Sequence, residues 1–188
     1  GGAAVAEIEE LGFAALWTGG CPSLAQGRPF LEATGALTIA TGILNVWQHE
    51  PADVAAQHAE LTREFPGRFL LGIGIGHPEA TSDYTRPLTA MRRFFDGLDL
   101  PREELVAAAL GPKMLDLAAE RSLGTHPYFT TPEHTRFARE RVGPDALVAP
   151  ELAVVVEEDA ETARAIARRY ANTYLQLSNY TANLLRYG

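Results

Sequence analysis

Apolar residues fall into two alternating rhythms along this chain. Val5, Ile8 and Leu11 recur at helical spacing, Gly12 follows as a stop, and residues 13–17 form a short apolar run. The same helix-then-strand unit repeats. A short helix near 29–34 precedes a run at 37–46, and a helix over 51–65, stopped by Pro66-Gly67, precedes a run at 69–75. A helix over 86–97 leads to 105–110, one over 112–121 to 125–129, and one opened by Pro132 and ending near Gly143-Pro144 to 147–156. A last helical stretch starts near Asp159 and extends with a break to Arg186. The six strand runs are apolar on both faces and separated by helices, the pattern of a parallel sheet with helical crossovers, either doubly wound or closed as a barrel. A barrel typically needs roughly 250 residues, about two βα units more than this chain.

Composition narrows the function classes. The 188 residues are 46% hydrophobic and 21% charged, enough apolar side chain for a substantial core. A formal net charge of −8 repels phosphate backbones and anionic membranes, so nucleic acid and membrane are not expected partners, and any anion must be held by a local device. No apolar run approaches the roughly 20 residues of a membrane span. The opening GGAAVAEIEELGF reads as the middle of a helix and not as a signal peptide. Cys21 is the sole cysteine, which rules out an internal disulfide and fits a reducing cytoplasm.

In parallel α/β folds ligands bind at the carboxyl ends of strands, so the segments following the strand runs carry the candidate chemistry. In Gly72-Ile73-Gly74-Ile75-Gly76-His77 the alternate glycines strip one strand face, leaving room for a flat ring or a phosphate, or for tight packing in a barrel interior. His77 follows at the strand mouth, where an imidazole can move a proton near neutral pH. Gly111-Pro112-Lys113 is a strand end with proline at the first helical position, an anion site or an ordinary turn. Gly42, within a β-branched run, suggests a bulge, after which Asn45 and Trp47 offer an amide and an aromatic plate, or Trp47 belongs to the core. His126 and Tyr128 surround another strand end, with Thr131 as N-cap, Pro132 after it, and His134 expected to be exposed in the first turn. His58, inside a helix, is assigned to structure, and Cys21 has no activating partner in sequence. Neither a metal spacing, a GxSxG elbow nor a dinucleotide fingerprint occurs.

The stretches ATGILNVWQHEP, FPGRFLLGIGIGHPEA and LVAAALGPKMLDLAAERSLGTHPYFTTPEHT resemble the luciferase-like oxidoreductases, above all actinobacterial members described as probable coenzyme F420-dependent enzymes. The resemblance implies a single domain over 1–188 with an incomplete (β/α)8 TIM barrel, its first strand before Gly1 and its last βα units after Gly188. It also implies a bulge with a non-prolyl cis peptide within 41–44, and a cofactor bound by Gly42, Ile43, Asn45, Gly74, Gly76, Gly111, Pro112 and His126. In such enzymes Gly111-Pro112 would take the phosphate, His77 would line the ring, and the protein would be a homodimer acting on a small-molecule substrate. The expected activity is hydride transfer between coenzyme F420 and an organic substrate, with His77 in proton transfer. The alternatives are an FMN-dependent monooxygenase and a non-catalytic flavin- or deazaflavin-binding barrel. One departure bears on them: many deazaflavin-dependent relatives carry an acidic residue and His where this chain has Gly20-Cys21. Ser122-Leu123-Gly124 likewise replaces the more usual acidic-Gly ending.

Overall fold

All strand pairings in the computed structural model, which describes residues 1–20, 23–82 and 84–187, are parallel. The strands are β1 (Ala15–Gly19), β2 (Thr38–Gly42), β3 (Leu44–Asn45), β4 (Phe69–Gly74), β5 (Leu105–Ala107), β6 (Gly124–Thr125) and β7 (Leu147–Val148). Between and after them lie α1 (Gly2–Glu10), α2 (Arg28–Glu32), α3 (Pro51–Glu64), α4 (Pro87–Leu98), α5 (Pro112–Arg121), α6 (Pro132–Val142), α7 (Ala160–Tyr174) and α8 (Ser178–Tyr187). Proline opens α3, α4, α5 and α6, where its missing N–H is one no helix would have used.

The sheet runs β1-β2-β4-β5-β6-β7 in chain order, with β3 also on β4. Right-handed crossovers that always step in one direction put every helix on the same face, whereas a doubly wound sheet reverses direction at a switch point. The expected barrel order is therefore what forms, as a half-barrel. Its curvature is measurable. In a flat sheet β1 and β6 would stand about 19 Å apart, yet the rings of Trp17 on β1 and His126 after β6 stack with centroids 3.9 Å apart.

Period-2 alternation sorts β4 onto two cores. Phe69, Leu71 and Ile73 face the helices and join one large cluster with Val54 and Leu61 of α3, Met91, Phe94 and Phe95 of α4, and Leu115 and Leu117 of α5. Leu70 faces the concave side, where it packs with Ala40 and Val106 against Trp17, Leu123 and Leu147. Above this inner layer the concave positions become small, and there the cavity opens.

β2 and β3 are one strand broken by the expected bulge. Ile39 and Ala40 pair with Phe69 and Leu70, while Leu44 and Asn45 pair with Ile73 and Gly74, so residues 41–43 stand opposite 71–72. The Gly42–Ile43 peptide is cis, inside the interval implied by the resemblance.

Two strands are shorter than their apolar runs. Beyond Gly124–Thr125 the pairing continues only as an isolated bridge between Tyr128 and Glu151, and the chain turns at Phe129, with φ of 54°. In 147–156 only Leu147–Val148 join the ladder. Two further backbone bonds, Ala149 N–H to the Thr125 carbonyl and Glu151 N–H to the Pro127 carbonyl, carry the segment to Glu151. Beyond it Leu152, Val154 and Val156 alternate at 78%, 76% and 99% exposure. The apolar run is real, but among the described residues nothing covers these three side chains.

α8 lies back over the strand mouths. Ser178 N–H donates to the Glu79 carboxylate at 2.9 Å, His77 Nδ1 donates to Asn179 Oδ1 at 3.0 Å, and Thr131 donates to the Tyr187 carbonyl at 3.2 Å. Two outcomes follow from this packing. A Cβ on Gly72 would lie 1.9 Å from the Thr41 carbonyl oxygen, while one on Gly111 meets nothing within 4 Å. Gly72→Ala should therefore lower stability in urea melts by about 1–3 kcal/mol, the usual cost of overpacking, and Gly111→Ala should leave it nearly unchanged. Asn179→Ala should cost about 0.5–1.5 kcal/mol and speed amide exchange in the first turn of α8 more than elsewhere.

Candidate active site

Strand ends and the α7–α8 segment enclose a cavity of about 650 Å³, within the range of small-molecule and cofactor sites. Gly42, Ile43, Asn45, Gly74, Gly76, His77, Gly111 and His126, drawn from four strand ends, all line it. Pro112 does not; it starts α5 behind Gly111. Gly19 and Gly20 reach the cavity, whereas Cys21 lies outside the described residues.

The concave wall is made of Gly42, Gly74 and Ala108, and small side chains there are what leave the volume. The glycine face of β4 is nevertheless not bare. The Thr41 hydroxyl donates to the Gly72 carbonyl at 2.7 Å and accepts from its N–H at 2.8 Å. A Cβ on Gly74 would meet Ile43 at 2.7 Å, and one on Gly76, at φ of 63°, would meet the Asn45 amide at 2.9 Å. The glycines thus accommodate the bulge, and the bulge, with Ile43 foremost, presents the surface. Asn45 is further fixed by accepting from Trp47 N–H at 3.1 Å. Trp47 turns away, donating to the Ile75 carbonyl at 2.8 Å and packing on the helix-side core, so of its two readings the core one holds.

At Gly111 the backbone is extended and no side chain caps α5. Pro112 has no N–H, and the first helical bonds run from Met114 and Leu115 to the Gly111 carbonyl. The Lys113 N–H, ahead of them, points out of the helix end, where the dipole is positive. No Arg or Lys lines the cavity among the described residues, so these backbone dipoles are its anion-attracting feature.

His126 is 5% exposed, stacked on Trp17 with an interplanar angle of 9°, and donates from Nδ1 to the Ala149 carbonyl at 2.7 Å. Burial pulls its pKa below the ordinary histidine value, against the Ala149 bond and the Glu151 charge, which favour the imidazolium. His134 corrects an expectation: it is fully buried, with Nε2 donating to the Leu110 carbonyl at 2.9 Å and burial lowering its pKa. It braces the strand end that leads to Gly111, and Tyr187 closes on its ring edge-on at 5.4 Å. His58 is buried beside Phe69, in the structural place assigned to it.

An aromatic wall was not anticipated from the pattern of strand ends. Tyr128 meets Tyr174 edge-on at 4.9 Å, Phe129 stacks on Tyr174 at 5.2 Å, and Tyr180 lies 5.0 Å from His77. The Tyr128 hydroxyl is hydrogen-bonded to that of Tyr170, and burial raises the pKa of Tyr128 and Tyr180. The available signal was the i, i+4 pair Tyr170 and Tyr174 on one face of α7, with Asn179-Tyr180 after the helix break.

The fold is shared with several solved structures. An F420-dependent secondary alcohol dehydrogenase in complex with an F420–acetone adduct aligns with a TM-score of 0.74 at 16% identity, over 89% of this chain and 68% of the other. The coenzyme F420-dependent tetrahydromethanopterin reductase of Methanopyrus kandleri aligns at 0.66 and 17% identity, over 87% and 65%. The FMN-bound oxygenating constituent of 3,6-diketocamphane monooxygenase from Pseudomonas putida, a type II Baeyer–Villiger enzyme, aligns at 0.63 and 14%, over 77% and 55%. This chain thus spans about two thirds or less of their lengths. No curated protein matches it in sequence. No helix among the described residues is long and apolar enough to cross a membrane. The profile of the luciferase-like monooxygenase family matches residues 2–96, from α1 through β4 and most of α4, and the chain belongs to that family.

Proposed function

We propose that residues 1–188 act as one unit of an F420-dependent oxidoreductase that exchanges a hydride with a small organic substrate. The observation that carries this reading is convergence: a bulge surface, a glycine-lined strand end, an uncapped helix start and two histidines open on one cavity. The residues fit a flat, phosphate-bearing cofactor. Ile43 with Gly42, Gly74 and Ala108 offers an apolar, backbone-close wall for a ring, and Gly111, at the uncapped start of α5, brings the positive end of that helix to a cavity without cationic side chains among the described residues. When bound, a deazaflavin supplies a two-electron hydride carrier.

The chain's own residues bind, orient and handle the proton. His77, fixed through Nδ1 by Asn179, leaves Nε2 for proton exchange with a substrate at the strand mouth. Tyr128, Tyr174 and Tyr180 form the aromatic side of the cavity. Two of the aligned structures are F420-dependent and one is FMN-bound, and the choice of deazaflavin rests on the first two together with the sequence resemblance. Family resemblance and the lone cysteine extend the proposal to a cytoplasmic homodimer.

Titrating the protein separately with F420 and FMN, followed by cofactor fluorescence, tests the cofactor. Saturable binding of F420 is expected; binding of FMN alone would instead favour a flavin monooxygenase, and reduction of bound cofactor without turnover of any substrate a non-catalytic barrel. Gly111→Val, whose branched side chain would fill the approach to the helix start, should weaken cofactor binding while leaving the urea midpoint unchanged; unaltered affinity would move the phosphate elsewhere. His77→Ala should lower turnover by about 10²–10⁴-fold, the usual contribution of a general acid or base, with cofactor affinity little changed. Retention of activity in His77→Gln would leave His77 a shaping role only.

A further inference from the structure

A second, smaller cavity of about 310 Å³ lies beside the main one, and Gly19, Gly42, His126 and Glu151 belong to both walls. We propose that His126 and Glu151 form a one-proton relay at this neck, with His126 Nε2 as the proton donor to a substrate in the main cavity and Glu151 as the positioning residue that recharges it from solvent. The proposal deepens the reading of the cavity as a redox site and rests on it for the identity of the acceptor.

The argument starts from which nitrogen holds a hydrogen. His126 Nδ1 lies 2.7 Å from the Ala149 carbonyl, an oxygen that only accepts, so Nδ1 carries a proton in every state of the ring. The Trp17 stack holds the ring plane and prevents the flip that would exchange the two nitrogens. Nε2 then faces Glu151 Oε2 at 3.6 Å. A neutral His126 with Nδ1 protonated would set an imidazole lone pair against a carboxylate oxygen, acceptor against acceptor. One further proton resolves the conflict, shared as imidazolium with carboxylate or as neutral ring with carboxylic acid. Burial disfavours the imidazolium and the Glu151 charge favours it, so the ring's second proton is held against a desolvation penalty.

Access exists on both sides. A Cβ on Gly42 would approach Nε2 to 3.3 Å, so the glycine leaves that side of the nitrogen open to the cavity. Glu151 is 49% exposed. In each cycle one proton leaves Nε2 for an oxygen or nitrogen of the substrate, and one enters from water through Glu151. The Nδ1 proton stays, and no electrons move through the pair. From β1 and β2 the ring is faced by Trp17, Gly19 and Gly42, which do not titrate, and from the segment after β7 by Glu151. Tyr174 of α7 and Tyr180 of α8 face Glu151 in turn and stay neutral phenols near neutral pH.

Nitrogen-15 NMR of the labelled chain across pH tests this without any cofactor, so its failure is separable from failure of the F420 reading. Nδ1 should remain protonated throughout, and Nε2 alone should titrate. The Nε2 proton should exchange rapidly with water while the Nδ1 proton is protected. Glu151→Gln, at a half-exposed position, should lower the midpoint of the Nε2 titration by about one unit or more, and Glu151→Asp, with the charge withdrawn by a methylene, by less. A midpoint unmoved in Glu151→Gln, titration at Nδ1, or an Nε2 proton as slow to exchange as the Nδ1 proton would each overturn the relay.

Discussion

The contact between Thr41 and Gly72 is the constraint on which the site depends. Three residues of one strand must stand opposite two of the next, and the surplus pushes the Thr41 carbonyl to where any side chain at position 72 would sit. Its hydroxyl then does what the displaced ladder no longer can, accepting from Gly72 N–H and donating to Gly72 C=O, so the buried backbone groups stay paired. Downstream of this point Ile43 turns over Gly74 and Asn45 over Gly76, and both enter the cavity wall. A bulge placed one residue earlier or later would put different side chains at that wall, because successive strand residues face opposite sides.

The inner face of the half-barrel explains why the cavity lies where it does. Near the amino ends of the strands the concave side is filled by Ala40, Leu70 and Val106 with Trp17, Leu123 and Leu147. Towards the carboxyl ends the same face carries Gly42, Gly72, Gly74 and Ala108, which do not fill it. The change from large to small residues within single strands turns a packed interior into a binding site while the outer face, held by the helices, stays continuous. Trp17 and His126 mark the boundary: their stack closes the packed layer, and the outer edge of the imidazole faces the open one.

Much of this was legible in the sequence, and the reasons are local. Six apolar runs appear as six strand positions, because strands buried on both faces leave a continuous apolar signal. Prolines 51, 112 and 132 mark helix starts, since each sits where its missing N–H costs nothing. Gly42 could be read as a bulge, and His77 and Gly111 as strand-mouth residues. What could not be read was reciprocity. The glycines at 72, 74 and 76 suggested open space, but their partners 41, 43 and 45 lie roughly thirty residues earlier, and only the register shows which of them fills which gap. The same applies to His134, expected at the surface from its place in a first helical turn but buried, bonded to the Leu110 carbonyl and met by Tyr187 from the far end of α8. Asn179, Tyr174 and Tyr180 reach the cavity only because α7 and α8 fold back over the strand ends, a tertiary fact without a local signature.

Charge gives the last step. A chain with a net charge of −8 must hold any anion by short-range means. No Arg or Lys lines the cavity among the described residues, so the positive end of α5 behind Gly111 is the feature it offers an anion. Its remaining polar groups are arranged to stay neutral or to share a proton. Burial holds the phenols of Tyr128 and Tyr180 uncharged and resists an isolated imidazolium at His126, which the Glu151 carboxylate 3.6 Å from Nε2 favours. Charge is thereby confined to the edges of the cavity, at the start of α5 and at Glu151, away from the apolar surface made by Ile43, Gly42, Gly74 and Ala108, where an unpaired charge would be costly.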